Sequence, residues 1–334
     1  MKHHCGVFGV YNCRDAARLC YLGLYALQHR GQESSGIVSL ENKNFYVSKG
    51  MGLVSDIFNE KNLSYLKGTM AIGHDRYSTT GSSTQNNIQP IYSKTSKGKL
   101  AIAHNGNLTN AFEIYEKLEK QGALFQTTID SEIILHLISR SKSDNIIDCF
   151  KETLTQIEGA YSLVVLGEDF LMGIRDPFGF RPLVLGKLGN GYILSSETCA
   201  LDLIGATYIR EINPGEIILI NKDGIKSDFI PTITRPQMCI FEHIYFARPD
   251  STLFNESVYK IRKKLGAQLA KEHPIDADIV IAIPDSGNSA ALGYAEESGI
   301  PFEFGMTRNH YVGRTFIHPK KKIRNLNVKV KLNP

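Results

Sequence analysis

A cysteine four residues behind the initiator methionine is the first residue with chemical potential, in the stretch Met1-Lys2-His3-His4-Cys5-Gly6-Val7-Phe8-Gly9-Val10. The small and apolar residues after it read as a buried strand with a thiol at its head. Removal of residues 1–4 would free the α-amino group of Cys5, and such a group has an ordinary pKa of about 7.7–8.0, close to cellular pH. The amine can then take the thiol proton and later hand it to a leaving amine, work for which an internal cysteine needs a separate histidine. The plainer reading is a small buried hydrophobe, because free cysteine is among the most buried residue types.

Three polar clusters stand at the ends of predicted elements. His74-Asp75-Arg76-Tyr77-Ser78-Thr79-Thr80-Gly81 follows one strand, His104-Asn105-Gly106-Asn107 follows another, and Thr128-Ile129-Asp130-Ser131 opens a helix. Transfer of the amide nitrogen of glutamine needs a thiolate, donors for a tetrahedral oxyanion, a cation for the substrate carboxylate and an anion for its ammonium. Arg76 offers a planar fork for a carboxylate. Asp130 offers an acceptor for the ammonium. The Asn105 amide and the Gly106 N–H offer oxyanion donors, glycine allowing close backbone approach. Each has an ordinary alternative: Arg76 as a surface ion-pair partner, Asp130 as a helix cap, Asn105-Gly106 as a turn. Their conjunction with a near-terminal cysteine is what points to chemistry.

Periodicity supplies the elements that must hold these groups. It predicts strands over 5–11, 69–74 and 99–104, a hairpin from 36–40 and 44–48, and helices over 16–28, 111–121, 130–141 and 145–156. Strands follow over 160–166, 171–175, 183–185, 192–195 and 216–220, and the stretch from Pro231 to Pro236 is the best linker. Beyond it, a helix over 257–271 shows Val258, Ile261, Leu265 and Leu269 on one face. An apolar strand over 278–283 ends in the turn Pro284-Asp285-Ser286-Gly287-Asn288 and is followed by a helix over 290–297 and a strand over 302–305, one βαβ unit of a doubly wound sheet.

Composition is that of an ordinary globular protein: 334 residues, 42% hydrophobic and 22% charged, net charge +4. The excess charge sits in Lys320, Lys321, Lys322, Arg324, Lys329 and Lys331. No aromatic residue interleaves that segment, so a solvated flank or phosphate-facing edge is expected rather than a nucleic-acid site. The six cysteines include no C-x-x-C, which fits a reducing compartment. Neither a signal peptide nor a membrane helix is legible, and the expected location is the cytoplasm.

The runs Cys5-Gly6-Val7-Phe8-Gly9, Leu27-Gln28-His29-Arg30-Gly31-Gln32-Glu33-Ser34, Gly73-His74-Asp75-Arg76-Tyr77-Ser78-Thr79, His104-Asn105-Gly106-Asn107-Leu108 and Asp130-Ser131-Glu132 together resemble class II glutamine amidotransferases, which are N-terminal-nucleophile hydrolases. The resemblance implies an α+β αββα sandwich over 5–233, a propeptide over 1–4, Cys5 as nucleophile, and Asn105 and Gly106 as the oxyanion hole. It also implies that Arg76, Thr79 and Asp130 grip glutamine. A second set, Phe241-Glu242-His243-Ile244-Tyr245-Phe246-Ala247-Arg248-Pro249-Asp250-Ser251, Ile283-Pro284-Asp285-Ser286-Gly287 and Arg308-Asn309-His310-Tyr311-Val312-Gly313-Arg314-Thr315-Phe316-Ile317, resembles amidophosphoribosyltransferases. Those enzymes open purine synthesis by replacing the pyrophosphate of phosphoribosyl pyrophosphate with ammonia from glutamine.

This second resemblance implies a phosphoribosyltransferase-type α/β domain over 234–334 and phosphoribosyl pyrophosphate at Asp285, Ser286, Gly287 and Asn288. It also implies Mg²⁺ facing Ser286, a mobile loop with Arg308, Tyr311, Gly313 and Arg314, and a homo-oligomer when full length. An ordinary βα turn is the alternative for 285–288. In one branch of the family a cysteine at the place of Cys239 helps hold a 4Fe-4S cluster with cysteines far downstream. Those partners are not in this sequence, and one cysteine cannot bind a cluster. The family's paired aspartates and Gly-Thr loop do not appear before Pro334 either. The expectation is therefore an incomplete transferase domain, with the glutaminase half whole and transferase activity lacking. The rival readings are another class II amidotransferase, such as a glucosamine-phosphate or asparagine synthetase, and a truncated non-catalytic regulatory or interaction protein.

Overall fold

Alternation is the first thing the chain turns into structure. In the strand Gly6–Tyr11 (β1), Val7 packs into one apolar cluster and Phe8 and Val10 into another, so the strand is covered on both faces. The computed structural model describes residues 5–77, 84–232, 235–310 and 330–334. The expectations placed on residues 1–4, Thr79, Tyr311, Gly313, Arg314 and most of the basic segment lie outside the described residues.

The chain divides into two compact units, the first running through Glu242 and taking in Phe246–Arg248 and Thr252–Asn255. After β1 it contains α1 (Ala16–Leu27), β2 (Ser34–Glu41), β3 (Asn44–Met51), α2 (Val54–Ile57), α3 (Glu60–Tyr65), β4 (Met70–Arg76), β5 (Ile91–Thr95) and β6 (Gly98–Leu108). There follow α4 (Ala111–Lys120), α5 (Ser131–Arg140), α6 (Ile146–Leu154), β7 (Gly159–Leu166), β8 (Leu171–Arg175), β9 (Val184–Leu188) and β10 (Gly191–Ser195). The last are α7 (Cys199–Ile204), β11 (Thr207–Glu211), β12 (Glu216–Asn221) and β13 (Gly224–Phe229). Seven strands form an antiparallel sheet in the order β11-β9-β10-β1-β4-β2-β3, and six form a second, β13-β12-β8-β7-β6-β5.

The core has three apolar layers. Val7, Val38, Ile72, Ala103, Val164 and Leu194 fill the space between the sheets. Phe8, Leu24 and Leu27 pack α1 on the outside of the first sheet. Ile134, Ile138, Phe150 and Val165 pack α5 and α6 on the outside of the second. The result is an α/β/β/α sandwich, as the resemblance led one to expect.

Two strands run further than their sequence pattern. β4 continues to Arg76 and β6 to Leu108, so His74–Arg76 and His104–Asn107 lie inside strands rather than after them. Pairing decides this: Asp75 faces Gly6 and Ser35, while Asn105 and Gly106 face Ser162 and Tyr161. The turn reading of Asn105-Gly106 is thereby overturned. Asp130 sits at the start of α5 but its side chain makes no capping hydrogen bond.

The second unit takes in His243–Tyr245, Pro249–Ser251 and the chain from Glu256. It holds α8 (Val258–Glu272) and α9 (Asn288–Ser298), with Val280–Ile281 paired in parallel to Phe302–Glu303. Of the apolar stripe expected on α8, Val258 is buried, but Leu265 and Leu269 are exposed, and the buried face runs instead through Val258, Arg262, Gly266 and Ala270. Glycine is the reason. An ideal Cβ at Gly266 would stand 1.8 Å from the Ala290 carbonyl oxygen, and one at Gly293 1.9 Å from that of Lys263. The two helices therefore touch backbone to backbone on their small residues. Among the described residues no helix is long and apolar enough to cross a membrane.

Candidate active site

Cys5 stands at the head of β1, 3% exposed, and the register that pairs Gly6 with Asp75 brings it opposite Arg76. Its main chain is held from two sides. The Cys5 N–H donates to Asn105 Oδ1 at 3.0 Å, crossing from one sheet to the other, and Arg30 Nε donates to the Cys5 carbonyl at 2.9 Å. Burial pushes the thiol up to about 11, although the guanidinium groups of Arg76, Arg30 and Arg181 pull it down. Within the unprocessed chain the sulfur is thus a neutral thiol at pH 7 and a poor nucleophile.

Asn105 is fully buried on β6, and its Nδ2 has no acceptor among the described residues. Gly106 beside it must be glycine: an ideal Cβ would stand 1.9 Å from the Ala160 carbonyl oxygen and 2.8 Å from His104 Nε2. Asp130 closes the far end of β6, its Oδ2 accepting from Leu108 N–H at 2.8 Å. Burial raises its carboxyl, but His104, Leu108 and Ser131 outweigh that and leave it below the usual range. His104 Nδ1 lies 2.9 Å from Ser131 Oγ. Arg76 is 2% exposed and pairs with Glu33 at 3.4 Å, so it is a buried cation rather than a surface partner. Cys5, Arg76, Asn105 and Gly106 thus converge where the two sheets meet, and Asp130 is tied to the same stretch of β6.

The sequence reading missed what lies behind the cysteine. Arg30 is wholly buried, donating from Nη1 to Glu197 at 2.6 Å and from both Nη atoms to Glu242 at 2.9 Å. His29 Nε2 approaches Glu197 at 2.7 Å and Arg181 donates to Glu242 at 3.2 Å. Burial raises the Glu197 carboxyl, yet His29 and Arg30 hold it well below the usual carboxylate range. Residues 30, 181, 197 and 242 share no spacing, so no local pattern announces the group.

In the second unit Asp285, Asn288, Phe304, Thr307, Arg308 and His310 line one cleft. Gly287 and Asn288 use their N–H groups to close the turn, on the carbonyls of Ile283 and Asp285. Arg308 pairs with the Asp285 carboxylate. Ser286 lies within this turn, between those residues. Cys239 is half-buried, 3.8 Å from Arg181 Nη1. Among the described residues no three His, Cys, Asp or Glu side chains group closely enough to hold a metal ion.

A family model described as a glutamine amidotransferase domain matches residues 74–203. The chain is 52% identical over its whole length to the chloroplastic amidophosphoribosyltransferase of Vigna aconitifolia, covering 69% of that protein. The chain belongs to the amidophosphoribosyltransferase family. The amidophosphoribosyltransferase of Bacillus subtilis is 44% identical, with 70% of its length covered, and an Arabidopsis thaliana chloroplastic member is 50% identical, with 59% covered. The chain thus spans between about three-fifths and seven-tenths of these family members. Among solved structures, one described as the allosteric regulatory enzyme of purine biosynthesis superposes with a TM-score of 0.92 at 45% identity, covering 98% of this chain and 71% of that one. The glutamine phosphoribosylpyrophosphate amidotransferase of B. subtilis, complexed with ADP and GMP, gives 0.91 at 44% identity, with the same coverage.

Proposed function

We propose that this chain carries the glutamine-hydrolysing site of an amidophosphoribosyltransferase, with Cys5 as nucleophile once residues 1–4 are removed. The observation that supports it most is the contact of Cys5 N–H with Asn105 Oδ1 across the two sheets, beside the buried and unaccepted Asn105 Nδ2. The freed amine takes the thiol proton, and Sγ adds to the side-chain carbonyl carbon of glutamine. Negative charge develops on the amide oxygen, where Asn105 Nδ2 and Gly106 N–H donate to it. The amine returns the proton to the departing nitrogen and ammonia leaves. Water then cleaves the thioester to glutamate and restores the thiol. Arg76 binds the substrate α-carboxylate and Asp130 its ammonium, and Thr79 adds a hydrogen bond in the same pocket.

Ammonia then displaces pyrophosphate from phosphoribosyl pyrophosphate, giving 5-phosphoribosylamine. In this reading Asp285–Asn288 meets the pyrophosphate and the segment holding Arg308, Tyr311, Gly313 and Arg314 closes over it. Asp285 and Ser286 supply hard oxygen donors, which suit a Mg²⁺ that arrives with phosphates rather than one caged by protein alone. The ion would neutralise charge on the departing pyrophosphate. Assembly into a homo-oligomer belongs to the same reading.

Mass spectrometry of the purified N-terminus, with glutamate release from glutamine, tests the first half. Cys5→Ala should abolish glutamate release while the fold is kept. In the processed wild-type protein, alkylation of Cys5 should rise through about pH 8 with the α-amine. A rise seen only near pH 11 would mean that the buried thiol, unaided, is all the site offers.

A further inference from the structure

β6 loses one neighbour before it reaches the site. Ile102 pairs with Ile91, after which β5 no longer accompanies it, while β7 stays paired on the other side as far as Leu108. Successive N–H groups of a strand point to opposite edges, so those of His104, Gly106 and Leu108 all face the edge that β5 has left. Tyr161, the β7 residue opposite Gly106, agrees: it turns its own N–H and carbonyl to Asp176. Two of the three N–H groups on this edge are taken by side chains. Gln89 Oε1 accepts from His104 N–H at 2.8 Å and Asp130 Oδ2 from Leu108 N–H at 2.8 Å. Gly106 lies between them.

Gln89 is itself buried and fixed. Asn87, two residues before it, exchanges two hydrogen bonds with Thr128, Nδ2 to Oγ1 at 2.8 Å and Thr128 N–H to Oδ1 at 2.9 Å. Lys49 Nζ donates to the Ile88 carbonyl at 3.0 Å. The Asn87–Gln89 segment is therefore held by three hydrogen bonds, at Asn87 and Ile88, beside its contact to β6.

We propose that Gln89 is a positioning residue for glutamine hydrolysis. Its carboxamide replaces the missing strand at His104 and sets the course of His104–Leu108, so that Gly106 N–H, with Asn105 Nδ2, is aimed at the oxyanion. Gln89 touches no substrate in this arrangement. The inference rests on the reading of Cys5 as a glutaminase nucleophile.

Gln89→Met removes the acceptor at nearly constant size, and Gln89→Glu keeps one at the same reach. With Met, kcat for glutamine hydrolysis should fall about tenfold, as for loss of one buried hydrogen bond, with KM within about twofold. The γ-aldehyde analogue of glutamine, which adds the Cys5 thiol to form a tetrahedral adduct, should bind about tenfold more weakly. Iodoacetamide displaces iodide at a CH₂ group and forms no oxyanion, so its rate at Cys5 should not change. Glu should recover most of kcat. Unchanged kcat, a loss confined to KM, no recovery with Glu, or an equal loss of iodoacetamide reactivity would each overturn the positioning role while the glutaminase reading stands. A wild-type protein that neither hydrolyses glutamine nor captures the aldehyde would overturn both.

Discussion

His74 shows how much a single residue can be set by its surroundings. It lies fully buried on β4, Nε2 donating to the His104 carbonyl at 3.0 Å, with Nδ1 unaccompanied among the described residues. Burial pulls its pKa down to about 3, against the hydrogen bond to the His104 carbonyl, which raises it, and with the charge of Arg76 adding to the fall. The unfolded chain protonates this imidazole below about pH 6.5 while the native protein does not, so stability falls as the pH drops from there toward 3. At pH 4.5 the loss from this one group is on the order of 3 kcal/mol. His74→Gln should flatten that part of the profile, read as urea midpoints at pH 7 and 4.5 against the wild type. A residue pattern foretells none of this: His74 stood in the sequence as one more polar residue at a strand end. Cys5, Arg76 and Asn105, by contrast, stood out by type, because few side chains could attack an amide, grip a carboxylate or donate to an oxyanion, and the fold brings these three together.

Elements were legible where one face alone is buried and obscure where a partner decides. The helices α1, α4, α5 and α6 fall within a few residues of their periodic patterns. Three edge strands, β5, β11 and β13, did not register, while the fourth, β3, did because a hairpin turn ties it to β2. α8 misled for a physical reason: a leucine stripe outweighs a row of small residues in any hydrophobic count, yet Gly266 and Gly293 let two backbones meet. Gly266→Ala puts a methyl into the Ala290 carbonyl and should separate α8 from α9. We expect earlier proteolysis of the second unit, with glutaminase activity of the first unit retained. Leu265→Ala, on the exposed face, should leave the second unit's protease resistance nearly as it is.

Across the whole molecule, the first unit is tied at its centre by charge as well as by apolar layers. Arg30, Arg181, Glu197 and Glu242 come from four distant places and are buried together. Removing the Glu242 carboxylate leaves two buried guanidinium groups with only Glu197 between them, and breaking a buried pair typically costs about 3–5 kcal/mol. Glu242→Gln should therefore lower the denaturation midpoint sharply, with little response to salt because the pair is shielded from counterions. The double change Arg30→Met with Glu242→Gln should lose less than the two single losses added, since each single change takes from the other group its bidentate partner, leaving Arg30 with Glu197 alone or Glu242 with Arg181 alone.

What the sequence determined by itself was the set of candidate side chains and most of the elements: a near-terminal thiol, an amide and glycine pair, an arginine and an aspartate with the charges a glutamine would need, and the alternations and helical periods that carry them. These follow from side-chain type and local period, which any stretch of chain carries with it. Tertiary structure alone decided that Asn105-Gly106 is strand rather than turn, that Asp130 serves Leu108 rather than a helix end, and that Arg30 stands behind Cys5. Each of those depends on which distant strand or side chain supplies the hydrogen bond, and partners far apart in sequence leave no periodic trace.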